Sequence, residues 1–166
     1  MAHAPSSHAD GTPRYGFLSL IVIVAVVVGV NFAISAATTS SVSGWYVGLE
    51  KPAMTPPSIV FAIVWPMLYV TIALSLWFYL RAGAQAAGLA FWGAQFVANA
   101  AWPLMFFVAQ SLVYGAYGAV LVLTLVAAVM AVFWRRSRIA SLLLTPYLLW
   151  SCMAVYLGFA MWRLNA

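Results

Sequence analysis

The chain has 166 residues, 66% of them hydrophobic and 5% charged. Soluble domains carry about 25% charged residues, so seven Lys and Arg with two Asp and Glu cannot cover a water-facing surface, and lipid is the solvent of this chain. The net charge of +5 then bears on membrane topology and is no evidence for nucleic acid.

The chain opens on a polar, proline-dotted tail, residues 1–16, whose composition predicts disorder. Arg14 and the apolar run behind it imitate a signal peptide, with "SAA" near Ala36 as a cleavage site. That run is about 20 residues, long for a signal-peptide core, so it reads as a first span. A membrane helix needs about 20 apolar residues. Five stretches meet this: 17–37, 58–80, 88–108, 113–134 and 139–162. The first, with "LSLIVIVAVVVGV", is rich in β-branched residues. A lone strand in hydrocarbon leaves its backbone unpaired, so helix is expected there too. The fold class is an all-α membrane protein, a five-helix bundle forming one domain over residues 17–166.

Five spans place the two ends of the chain on opposite sides. Arg14, Arg81, Arg135, Arg136 and Arg138 gather on the N-terminal side, against Lys51 and Arg163 on the other. The positive-inside rule predicts a cytoplasmic N-terminus in a cytoplasmic membrane.

No His, Asp or Glu lies in a span, and Cys152 is alone. Metal ligation, carboxylate-pair catalysis and proton relays therefore lack their usual groups. The spans hold aromatic and amide side chains instead. Gln95, Asn99, Trp102 and Phe106 share one face of the third helix. Tyr147, Trp150, Ala154 and Leu157 share one of the fifth, and Trp65 and Tyr69 stand a turn apart in the second. Amides in hydrocarbon need partners, so these faces point inward. Pro66, Pro103 and Pro146 lie near those tryptophans; kinks at similar depth would splay three helices and open a cavity. The stripe Ala90, Ala94, Ala98, Ala101 suits close helix packing and points to a homodimer, with Gly115 and Ala119 as a second candidate face.

The stretches "WYVGLEKPAMTPPSIVFAIVWPMLY", "ANAAWPLMFF" and "PYLLWSCMA" resemble, in order and spacing, the signatures of the TspO/MBR family. These are tryptophan-rich sensory and translocator proteins, also known as peripheral-type benzodiazepine receptors. The resemblance implies a five-helix bundle with a porphyrin pocket closed by the loop between the first two helices. It makes Trp65 and Trp150 the pocket tryptophans, also implicated in light- and oxygen-dependent porphyrin breakdown, with Asn99, Trp102, Tyr147 and Ala154 lining the pocket. Trp45, Tyr46, Lys51, Pro52, Pro56 and Pro57 match the lid. This chain departs from the family at Met54, where Trp is usual, at Gly158, often Asn, and at Gln110, often Arg. The motif for sterol recognition is not met, because six residues separate Tyr156 from Arg163.

These readings together predict a tetrapyrrole-binding sensor, with photo-oxidative porphyrin degradation or tetrapyrrole and lipid transport as alternatives. Tyr69 and Gln95 join the binding set on their helical spacing, and Lys51 could meet a propionate at the water boundary. No obligatory cofactor is expected. With no histidine available as an axial ligand, metal-free porphyrin is the expected ligand.

Overall fold

A computed structural model describes residues 15–166; the tail reading for residues 1–14 lies outside the described residues. Every element among the described residues is helical. The long ones are α1 (Phe17–Ser43), α2 (Ser58–Arg81), α3 (Ala86–Pro103), α4 (Leu112–Trp134) and α6 (Thr145–Leu164), with a short α5 (Arg138–Leu142) completing the fifth span. Five segments are long and apolar enough to cross a membrane.

Two boundaries differ from the sequence reading. α1 runs on through the polar residues Thr38 to Ser43. The hydroxyls of Thr38, Thr39 and Ser43 bond back to carbonyls three or four residues earlier, so the polar turn stays helical. The fifth span breaks at Leu143 and Leu144 between α5 and α6. Pro146 occupies the first turn of α6, where its missing N–H is not needed. It starts a helix rather than kinking one.

α4 packs between α3 and α6, α1 packs on α2, and α5 wedges against α4 and α2. Val122, Val126 and Val129 of α4 and Leu68, Ile72 and Ala73 of α2 belong to one buried core cluster. Phe17, Leu18, Val22 and Phe32 of α1 point outward, as lipid-facing residues do when the surrounding solvent is as apolar as the core. The α4–α6 contact is close because Gly158 has no side chain: a Cβ there would stand 2.9 Å from Ala116 Cα. That packing explains why Asn, frequent in the resembling family, has no room at this position.

At the arginine-bearing end, Tyr79 stacks on Phe133 with centroids 3.8 Å apart. Ser75 Oγ donates to Ala140 O at 2.6 Å, and Gln85 N–H donates to the Tyr79 hydroxyl at 3.2 Å. Gly88 lies against the Tyr79 ring, which leaves no space for a side chain. At the opposite end α3 changes pitch after Pro103. Leu104–Val108 form a π turn, with Ala109 N–H donating to Leu104 O at 3.0 Å. Proline disrupts the regular ladder, and the wider turn re-pairs the backbone.

Candidate functional site

α2, α3, α4 and α6 converge on one enclosed space lined by Trp65, Asn99, Trp102, Ala119, Val122, Tyr147, Trp150, Ser151 and Ala154. The Trp65 ring lies 6.4 Å from that of Trp102, inclined 32°, and 6.5 Å from Trp150, inclined 83°. Phe61 meets Trp150 edge-on at 5.3 Å. Trp102 is fixed by donating its Nε1–H to Gly115 O at 2.7 Å.

The cavity volume is about 10 Å³, room for about one water. The expectation that prolines would splay three helices into an open cavity is therefore corrected. Pro146 bends nothing, Pro103 ends α3, and the indoles fill the space that remains.

Six sequence-derived positions do line this space: Trp65, Asn99, Trp102, Tyr147, Trp150 and Ala154. Tyr69 and Gln95 do not. Tyr69 lies beside Trp65, ring to ring at 5.6 Å. Gln95 is buried behind the wall, where its Nε2 donates to the Tyr147 hydroxyl at 2.9 Å. Tyr147 in turn donates to Asn99 Oδ1 at 2.9 Å, and Asn99 Nδ2 donates to Asn31 Oδ1 at 3.2 Å. Asn31 Nδ2 donates back to Val27 O at 2.8 Å. This chain of amides and one phenol ties α1, α3 and α6 through the bundle centre. Within this network Gln95 Oε1 has no hydrogen-bond partner. Asn31 is the member sequence reasoning missed; a lone Asn within "VVVGVNFAISAA" was the available signal. Val122 and Ser151 are small or aliphatic and carried no signal, and Ala119 was read only as part of a contact face.

The loop expected to form the lid spans Gly44 to Pro57. Trp45–Gly48 is a 3₁₀ turn whose Trp45 and Tyr46 rings meet Phe106 edge-on at 5.5 and 6.1 Å. Phe106 stacks on Trp102, 6.0 Å away at 11°, so the lid sits one ring above the cavity wall. Burial pushes the Tyr46 hydroxyl above its ordinary pKa. Lys51 Nζ donates to Val47 O and Leu49 O at 3.3 Å each and stands 4.9 Å over the Tyr46 ring. It closes the lid's own turn; a propionate would have to compete with those carbonyls. Pro52 is buried. Thr55 N–H and hydroxyl both bond Pro52 O, at 2.9 and 2.8 Å, and Met54 lies at the tip of that turn, 65% exposed. Pro56 and Pro57 lead into α2. Gln110, with φ 50°, makes the left-handed step into α4.

The alanine stripe divides. Ala94, Ala98 and Ala101 line an outward groove of about 470 Å³ between α3 and α4, while Ala90 is exposed beyond it. Gly115 and Ala119 are buried inside, Gly115 against the Phe106 ring. They cannot form the second contact face expected from sequence. Among the described residues, no three His, Cys, Asp or Glu come together to hold a metal ion.

Five apolar spans arranged around a charge-free aromatic centre, capped by a short aromatic loop, define a polytopic helical membrane protein. Residues 21–163 match the model of the TspO/MBR family. The chain is 34% identical over 152 residues to the tryptophan-rich protein TspO of Chlorobaculum tepidum, covering 89% of this chain and 96% of that one. It is 32% identical over 121 residues to the tryptophan-rich sensory protein of Cereibacter sphaeroides, covering 73% and 77%. To the translocator protein of Sus scrofa it is 32% identical over 126 residues, covering 73% and 75%. The chain belongs to the TspO/MBR family.

Proposed function

We propose that this protein binds a tetrapyrrole between its indoles and acts as a membrane sensor or regulator. The observation that carries the reading is the cluster of Trp65, Trp102 and Trp150 around Asn99, free of charge and roofed by the lid. Indole faces suit a large planar π system, each aromatic pairing adding about 0.5–1.5 kcal/mol beyond area burial. Asn99 and Ser151 offer hydrogen bonds without a buried ion. The sensory name of a relative points the same way. The cavity is nearly closed, so binding requires the indoles and lid to move, and affinity carries the cost of that opening. Without a histidine in the pocket, a metal-free porphyrin fits the donor set better than haem.

Quenching of tryptophan fluorescence by protoporphyrin tests this. Wild-type protein should bind saturably, and Trp150→Ala should weaken binding at least tenfold. Equal affinity in the two proteins refutes the pocket.

The perpendicular Trp65–Trp150 pair favours a second reading, in which excited porphyrin and oxygen attack the macrocycle beside oxidisable indoles. Illumination should then bleach protoporphyrin faster with wild-type protein than with Trp65→Phe. Bleaching no faster than free dye in detergent excludes it.

The groove holding Ala94, Ala98 and Ala101 suits a helix of a second copy, since small residues permit close approach in lipid. Light scattering of Ala98→Leu in detergent reads this, an unchanged dimer mass ruling the groove out. We place the N-terminus in the cytoplasm on the arginine bias; labelling of a cysteine at exposed Ala53 by an impermeant reagent from the cytoplasmic side would reverse that orientation.

A further inference from the structure

Asn165 stands just past α6 and faces the lid. Its Oδ1 accepts from Glu50 N–H at 2.9 Å, and its Nδ2 donates to Glu50 O at 3.0 Å. The same Nδ2 donates to Met161 O at 2.8 Å, which holds the amide against the last turn of α6. One side chain thus satisfies both backbone groups of one lid residue 115 positions away. Among the described residues, these are the lid's hydrogen bonds to any element beyond the helices it joins. Its other anchorages are different in kind. Trp45 and Tyr46 make edge contacts to Phe106 and Phe107, and Lys51 and Thr55 bond within the loop itself.

We propose that Asn165 is a latch that holds the lid shut by clasping the Glu50 backbone. The clasp pairs an amide with a peptide unit and uses no charge, so it depends on the shape of the Asn165 side chain and not on the identity of the side chain at Glu50. Both bonds lie at exposed positions. Neutral, solvent-exposed bonds are individually weak, so the latch releases readily and closes again without rearranging the bundle. It ties the lid to the same helix that presents Tyr147 and Trp150 to the cavity. A movement of α6 that accommodates a ligand would thereby reach the lid. That gating role rests on the pocket reading above; the latch itself does not.

Hydrogen exchange of the full chain in detergent, without ligand, tests the latch. In Asn165→Ala, exchange at Glu50 and through the lid should quicken about tenfold, as expected for losing two such bonds, while α2 and α3 exchange as in wild type. Glu50→Ala should keep wild-type protection, because the clasp is to backbone. Unchanged lid exchange in Asn165→Ala, or equal loss in Glu50→Ala, overturns the latch. Stopped-flow with protoporphyrin as probe then tests gating. Association and dissociation should both quicken about tenfold in Asn165→Ala with little change in Kd. Faster lid exchange with unchanged rates overturns the gating role. Faster lid exchange with no protoporphyrin binding to either protein supports the latch and overturns the pocket reading.

Discussion

The two ends of the bundle are built on different chemistry. At the arginine-bearing end, Tyr79 and Phe133 are fully buried and stacked face to face, and Ser75 bonds across to Ala140 in the interior. At the lid end, rings meet edge-on, α3 gives way to a π turn, and the tie between loop and bundle is a pair of exposed amide bonds. Buried bonds and close ring contacts are lost together, so the first end opens only when the bundle unfolds. Exposed bonds exchange with water one at a time, so the second end opens locally. A pocket whose walls nearly touch needs one such compliant end if any ligand is to enter, and Trp102 is linked to that end through Phe106.

Substitutions at each end break or sharpen this contrast. The largest effect is expected from Gly88→Val. Its side chain would drive into the Tyr79 ring, which cannot retreat from Phe133. Overpacking of this kind costs about 3 kcal/mol, and thermal unfolding in detergent should fall steeply and cooperatively. A purely local change there would contradict the rigid end. Ser75→Ala comes next. It leaves Ala140 O without its 2.6 Å partner and should cost about 1 kcal/mol, again read as a lower unfolding temperature with unchanged lid exchange. The smallest global effect belongs to Lys51→Met. It removes two long bonds and a cation–π contact from the lid, together about 0.5 kcal/mol at an exposed site. Unfolding temperature should barely move while lid exchange quickens; a large drop in unfolding temperature would show that the lid is integral to the bundle.

Much of this architecture was legible beforehand. Nine charges among 166 residues exclude a water-facing surface, and the spacing of apolar runs located every span. The inward direction of the face carrying Gln95, Asn99 and Trp102 was foreseeable because an amide in hydrocarbon must face something polar. Other features were not, the Asn99–Tyr147 pairing among them. The extension of α1 through "TTSSVS" depends on hydroxyls bonding back to the helix, which composition reads as loop. Pro146 carries the same letter as Pro66, yet one starts a helix and the other lies inside one. Asn165 gave no signal because its partner is a peptide unit 115 residues away.

The sequence by itself determined the solvent, the helical class, the span count and the family, since each follows from composition, apolar run length or local motif. Tertiary structure alone decided how much space the tryptophans leave, which amide pairs with which, and what holds the lid. Those depend on helix crossings and on long-range backbone groups that every residue carries and no residue type announces. Gly158 shows the limit well. Its lack of a side chain is written in the sequence, but the 2.9 Å that any Cβ would leave to Ala116 exists only once α4 and α6 have met.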